Sequence, residues 1–107
     1  MIAGPRVRYR VPTMSERTAP ALAKLDELLP LLTSLPKTAE HDRLVGEVEA
    51  LRRAVAAFHM EAIRFRVYAV DRLLKDSGDP PAIRAVVDEL RQVLETAGFH
   101  TRSHTAP

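Results

Sequence analysis

The sequence predicts an all-α protein of three helices in a short–long–short order, and two observations carry this prediction. The segment 38–77 contains no proline, and its apolar residues recur every three or four positions, which is the spacing of one helix face. Helix-ending residues mark both sides of it, with Pro36 before it and Gly78, Pro80 and Pro81 after it. A chain of 107 residues forms one domain, and without tryptophan or cysteine its core must be largely aliphatic.

The first predicted helix covers residues 19–32. Thr18 is a suitable N-cap, and Pro20 falls in the first turn, where its missing N–H group does no harm. Pro30 lies inside the pattern and is expected to kink this helix or to end its regular part, because it removes a backbone hydrogen bond. Five leucines form the apolar face: Leu22, Leu25, Leu28, Leu29 and Leu32.

The second predicted helix covers residues 38–77 and would be about 58 Å long at 1.5 Å per residue. Thr38 is its expected N-cap, and Gly78 suits the position after its last turn. Gly46 lies inside this helix, where glycine costs about 1 kcal/mol against alanine but leaves room for another helix to approach.

The third predicted helix covers residues 80–97 and completes a helical domain of residues 14–98. Asp79 is its expected cap, and Pro80 and Pro81 suit its first turn. Its apolar face is regular: Ile83, Val86, Val87, Leu90, Val93, Leu94 and Ala97.

Both ends of the chain differ from this domain. Residues 1–13 are expected to be a flexible arm or a mis-called leader, because Met14 and the two residues after it are typical of a natural start. Residues 99–107 show no apolar period and are predicted to be a disordered tail. Phe99, at the start of this tail, could fold back onto the helical domain.

The helix lengths predict an assembly. Short loops join both short helices to the long one, so each is expected to fold back antiparallel along the nearer half of the long helix. The apolar arc of the long helix is wider than these contacts need. One row holds Ala62, Phe65, Ala69 and Leu73, and a second row beside it holds Ile63, Val67, Val70 and Leu74. The surplus is expected to face a second chain in a dimeric helical bundle. The predicted dimer-interface residues are Phe58, Ile63, Val67, Val70 and Leu74.

Charge favours an antiparallel homodimer. The stretch 40–49 carries four acids and one arginine, whereas the stretch 52–75 carries six bases and two acids. In an antiparallel pair the acidic half of one chain meets the basic half of its twin, which is an isologous arrangement. If the helices cross near Phe58, Glu47 and Glu49 of one chain approach the Arg66 region of the other.

Arg52, His59 and Arg66 recur at seven-residue spacing on the apolar side of the long helix, and two interpretations of this row are open. In the first, it is a structural seam, in which guanidinium groups reach carboxylates at the helix edge. The candidate carboxylates are Glu49, Asp26, Glu27, Asp88, Glu89 and Glu95. In the second, it binds an anionic small molecule in a cleft at the dimer axis. Ion-pair networks also perturb such groups, which favours the first interpretation.

Motifs for catalysis are missing from the sequence. It contains no nucleophile elbow, Walker loop or dinucleotide-binding glycine pattern. It has no cysteine, and its histidines lack the partners found in zinc and di-iron motifs, so we expect no metal, no cofactor and no catalytic residue. The leading hypothesis is a non-enzymatic, homodimeric adaptor or regulatory protein-interaction module, with a bundle that binds an anionic ligand as the alternative.

Charge and hydropathy limit which kinds of partner and which location the sequence favours. The net charge of +2 arises in the tails, because residues 14–98 hold 12 basic and 14 acidic side chains, a net charge of −2. The helical domain is therefore not a basic nucleic-acid binder, and only the arm with Arg6, Arg8 and Arg10 offers that alternative. The sequence shows neither a signal peptide nor a membrane span, so a cytoplasmic location is expected.

Overall fold

The computed structural model describes residues 14–99, and this part of the chain is all-helical, with four helices and no strands. The helices are α1 (Met14–Thr33), α2 (Ala39–Ala56), α3 (Met60–Asp76) and α4 (Pro81–Thr96). The all-α prediction is therefore confirmed. The predictions for residues 1–13 and 100–107 lie outside the described residues.

The expected three-helix chain is not confirmed within this range, because the predicted long helix is divided between residues 56 and 60. Ala57 ends α2 in a right-handed conformation, and Phe58 takes a positive φ of 57°. His59 then starts α3 as its N-cap, and its Nδ1 accepts a hydrogen bond from the Ala62 N–H at 3.3 Å. The interruption contains neither glycine nor proline, so the usual sequence signals do not mark it.

Polar contacts show how the helices pack around α1. Asp26 of α1 meets Arg52 of α2, and near the other ends of these helices Leu32 meets His41. Lys24 of α1 meets Glu89 of α4. α1 therefore runs antiparallel to α2. It contacts both α2 and α4, while α3 contacts α2 closely and α4 only lightly.

The core lies between the four helices and is aliphatic, as the composition predicts. Leucines of α1 and α2 meet the β-branched residues of α3 and α4, and Phe99 closes one end. The largest fully buried side chains are Phe99, Leu25, Leu28, Leu32, Leu44, Leu51, Ile63, Leu74, Leu90, Leu94, Val48 and Val55. Phe99, at the start of the predicted tail, therefore belongs to the folded unit.

Helix ends differ from the expectations in three places. α1 begins at Met14, so Thr18 is a buried residue inside the helix rather than its cap. Pro30 does not end α1, which continues to Thr33. Pro80, not Asp79, occupies the N-cap position of α4. The Thr38 cap is confirmed, because its side chain accepts a hydrogen bond from the His41 N–H at 3.1 Å.

Candidate interaction surface

The inward face of α3 belongs to the core of a single chain. Ile63, Val67, Val70 and Leu74 are at most 2% exposed, and they follow one another at three- or four-residue spacing. Four of the five residues predicted for a dimer interface are thus covered by the chain itself. The fifth, Phe58, is half-buried at the turn between α2 and α3.

One flank of α3 is fixed to α2. The Arg66 guanidinium donates a hydrogen bond to the Glu47 carboxylate at 2.8 Å, and the Glu47 side chain is only 18% exposed. Ala62 and Leu73 also pack against the core from this side. The charge complementarity predicted between two chains is therefore realised within one chain.

The other flank of α3 is fixed to α4 through Asp71. Its carboxylate accepts a hydrogen bond from Arg84 at 2.6 Å and lies 3.6 Å from Arg91 and 3.3 Å from Lys75. Burial alone would raise the pKa of Asp71, but the hydrogen bonds from Arg84 and Lys75 outweigh burial and hold that pKa below its ordinary value. Arg84 also donates a hydrogen bond to Asp79 at 2.8 Å. Because the α3 and α4 backbones contact each other only lightly, these ion pairs provide much of the contact between the two helices.

The outward face of α3 carries large apolar side chains in contact with water. Phe65 is 54% exposed, Met60 42% and Tyr68 38%. Arginines flank the two rings: the Arg66 guanidinium lies 5.4 Å from the centre of Phe65, and that of Arg72 lies 5.8 Å from the centre of Tyr68. We call Met60, Arg64, Phe65, Tyr68 and Arg72 the α3 surface.

Tyr68 and Arg72 are also joined by a hydrogen bond. Arg72 Nη1 lies 3.3 Å from the Tyr68 hydroxyl oxygen, and this contact raises the pKa of the Arg72 guanidinium. A tyrosine held by its arginine neighbour loses less side-chain entropy on binding than a freely rotating one. The α3 surface is therefore partly ordered before any partner arrives.

The α3 surface was not among the interface residues predicted from the sequence. The sequence pattern placed Phe65 with Ala62, Ala69 and Leu73 in the stripe that the short helices cover, and turned the Ile63 row outward. The usable signal was side-chain size, because the Ile63 row consists of isoleucine, valine and leucine, whereas the Phe65 row includes two alanines. Larger aliphatic side chains bury more apolar surface, so the Ile63 row is the better candidate for the core face.

The residues of the predicted polar row each contact a different part of the chain. Arg52 donates to Asp26 of α1 at 2.9 Å, and this bond lowers the pKa of the Asp26 carboxyl. His59 caps α3, and Arg66 pairs with Glu47. Because the turn separates Arg52 on α2 from Arg66 on α3, the row is no longer one line along one helix.

A cavity of about 300 Å³ lies where the α1–α2 loop meets the end of α3. His41, one of its lining residues, is already engaged: Nε2 lies 2.9 Å from the Leu32 carbonyl oxygen, and Nδ1 lies 3.2 Å from the Asp42 carboxylate. The His41 hydrogen bond is the main reason that the pKa of Asp42 is lowered. Across residues 14–99, no cluster of three His, Cys, Asp or Glu side chains is placed to hold a metal ion.

Comparison with known proteins gives no family assignment for this chain. No family model, no curated protein and no solved structure matches the chain. None of the four described helices combines the length and the apolar character that crossing a membrane requires.

Proposed function

We propose that this chain is a non-enzymatic protein-interaction module of the adaptor or regulatory kind, and that the α3 surface is its binding face. The observation that carries the proposal is the 54% exposure of Phe65 on a helix whose two flanks are fixed by ion pairs. Aromatic residues, methionine and arginine are enriched at protein interfaces, and rigid aromatic side chains commonly supply the binding energy.

The charge around these rings indicates the chemistry of the partner. Arg64 and Arg72 lie on the α3 surface and Lys75 follows one turn later, whereas Glu61 is the acidic residue of the first turn. A helix with apolar anchors and acidic residues at its edge complements such a face, because its anchors would cover Phe65 and Tyr68 while its carboxylates met the arginines. The proposed partner is therefore an acidic amphipathic helix of another protein.

The test compares one disruptive variant with a matched control. Phe65→Glu puts a carboxylate in the centre of the α3 surface, and Ala85→Glu puts the same charge on an exposed position of α4. Proteins retained from native cells by tagged wild type, Phe65→Glu and Ala85→Glu are identified side by side. The proposal expects a protein that wild type and Ala85→Glu retain and that Phe65→Glu loses. If all three variants retain the same proteins, the α3 surface is not the binding face.

A homodimer is the second candidate, and the contact between Glu47 and Arg66 is compatible with it. An ion pair that joins two halves of one chain can equally join the same halves of two chains, because both copies carry both residues. The Ile63 row would then lie between chains, as the sequence analysis expects of a dimer interface. The oligomeric state measured by native mass spectrometry at micromolar concentration tests this candidate.

The two remaining alternatives have less support. Binding of an anionic small molecule by Arg52, His59 and Arg66 would require these side chains to leave Asp26, the α3 N-terminus and Glu47. Nucleic-acid binding through residues 1–13 concerns a part of the chain outside the described residues.

A further inference from the structure

Three of the four helices in the described residues end in the same hydrogen-bonding motif, and one of these motifs has an unusual residue at its centre. At Phe58, Gly78 and Gly98 the N–H group of the positive-φ residue bonds three residues back, and the next N–H group bonds five residues back. This is the Schellman arrangement, whose central position normally takes glycine because a side chain there is strained. Glycine occupies two of the three positions, but a phenylalanine stands between α2 and α3.

The same turn contains nothing that prevents a helix from continuing. Ala57, Phe58 and His59 are compatible with helical conformation, and neither glycine nor proline occurs between Glu47 and Ser77. If the turn straightened, the last carbonyl groups of α2 and the first N–H groups of α3 would bond to each other. The strained φ of Phe58 and the need for a cap at His59 would both disappear.

We propose that two copies of this chain exchange α3 and α4 by straightening residues 57–59. Each half of the resulting dimer contains α1 and α2 of one chain with α3 and α4 of the other. This inference rests on the homodimer candidate above and gives it a mechanism. Residues 39–76 form one continuous helix in each copy, and the two long helices lie antiparallel with their crossing near Phe58. Short, strained hinge loops are the usual sites of such exchange.

Contacts made by the exchanged helices survive, because every partner is present in the second copy. Arg66 pairs with Glu47 of the other chain, and Asp71 keeps Arg84 and Arg91, since α3 and α4 move together. The buried row that includes Ile63 and Leu74 enters the same core, supplied by the other chain. Only contacts at the turn itself change.

The contacts of the Phe58 side chain oppose the exchange. Its ring meets the Phe99 ring edge-on, with centres 5.1 Å apart, and the Arg17 guanidinium lies 5.5 Å from the centre of Phe58. These contacts tie the closed turn to both α1 and the end of α4. The backbone of Phe58 thus favours the open form, and its side chain favours the closed one.

A matched pair of substitutions separates these two effects. Phe58→Gly and Phe58→Ala both remove the ring, but glycine suits the positive φ of the closed turn, whereas alanine suits the continuous helix. Each dimer contains two hinges, so we expect the dimer dissociation constant of Phe58→Ala to be lower than that of Phe58→Gly by more than about a hundredfold. Equal dissociation constants for the two variants would overturn the exchange.

Cross-linking reports which chain supplies α3. The chain has no cysteine, so Glu47→Cys and Arg66→Cys can be introduced together and joined by a short bismaleimide. In Phe58→Ala carrying this pair, we expect covalent dimers on a denaturing gel, and in Phe58→Gly only cross-links within one chain. A native dimer in which Phe58→Ala gives only intrachain links would refute the exchange and leave the homodimer intact. A strict monomer for wild type and both variants would refute both.

Discussion

The Arg66 guanidinium on α3 lies 2.8 Å from the Glu47 carboxylate on α2, and the two residues are separated by one sharp turn of the same chain. This pair shows how the acidic and basic halves of the segment 38–77 come to face each other. It also fixes the rotation of α3, because the side of the helix opposite its core row must then face water. The exposure of Phe65 follows from that rotation.

Gly46 offers a simple test of the fold of α2. A Cβ atom added there would meet nothing within 4 Å, and the position is exposed inside a helix. We expect Gly46→Ala to raise the free energy of unfolding by about 1 kcal/mol, because alanine loses less backbone entropy in a helix. Chemical denaturation measures this change. A loss of stability would mean that another helix closely approaches this position.

The coupling between Glu47 and Arg66 is measurable by a double-mutant cycle with alanine. We expect a coupling free energy of about 0.5–1 kcal/mol, which decreases as salt is added. The pair of Arg52 and Asp26 is the control, because the Asp26 side chain is 58% exposed and that of Glu47 only 18%. If the coupling free energy of Glu47–Arg66 is no larger than that of Arg52–Asp26, the Glu47–Arg66 pair does not fix α3 to α2.

Because of Asp71, the free energy of unfolding should depend on pH in the acidic range. The pKa of this carboxyl is lower in the folded chain than its ordinary value of 3.8, so the unfolded chain binds the proton first. Its contribution is complete above that ordinary value and is lost as the pH falls through the lower, folded value. We expect Asp71→Asn to be less stable than wild type at pH 7, with a difference that shrinks below about pH 4.

The control for this prediction is built into the comparison. Asp26 and Asp42 also have lowered pKa values, but wild type and Asp71→Asn both contain these residues. Their contributions therefore cancel when the unfolding free energies of the two proteins are subtracted. Unfolding free energies of the two proteins between pH 7 and acid pH provide the measurement. A difference that stays constant over this range would mean that Asp71 does not titrate with folding.

Phe99 should be as important to stability as a residue of the central core. Its ring is 2% exposed and meets Phe58, so Phe99→Ala is expected to lower the free energy of unfolding by about 3 kcal/mol. Phe65→Ala is the matched control, because the same side chain is removed from an exposed position and the expected loss is below about 1 kcal/mol. Similar losses at both positions would contradict the placement of Phe99.

Local signals explain which parts of the fold the sequence could predict. Thr38 caps α2, Gly78 follows α3, and prolines open α4, and each of these residues acts through its own backbone or its nearest turn. The α1 and α4 leucine and valine faces were predictable for the same reason, since helix periodicity is local.

The turn at Phe58 was not predictable in the same way, because its causes are distant in sequence. The ring of Phe58 contacts Phe99 and Arg17, and α2 meets α3 through Glu47 and Arg66. These contacts exist only once the chain has folded back. The α3 surface depends on the same turn, and without that turn the sequence pattern placed the Phe65 row against the short helices.

Radical footprinting tests the central claim, that the α3 surface is the binding face, most directly. It compares oxidation of Met60, Phe65 and Tyr68 in the purified chain with oxidation in extract of its native cells. The account predicts strong oxidation of these side chains in the purified protein and clear protection in the extract, while buried Phe99 stays unreactive in both. Equal oxidation of Phe65 and Tyr68 in the two samples would contradict it.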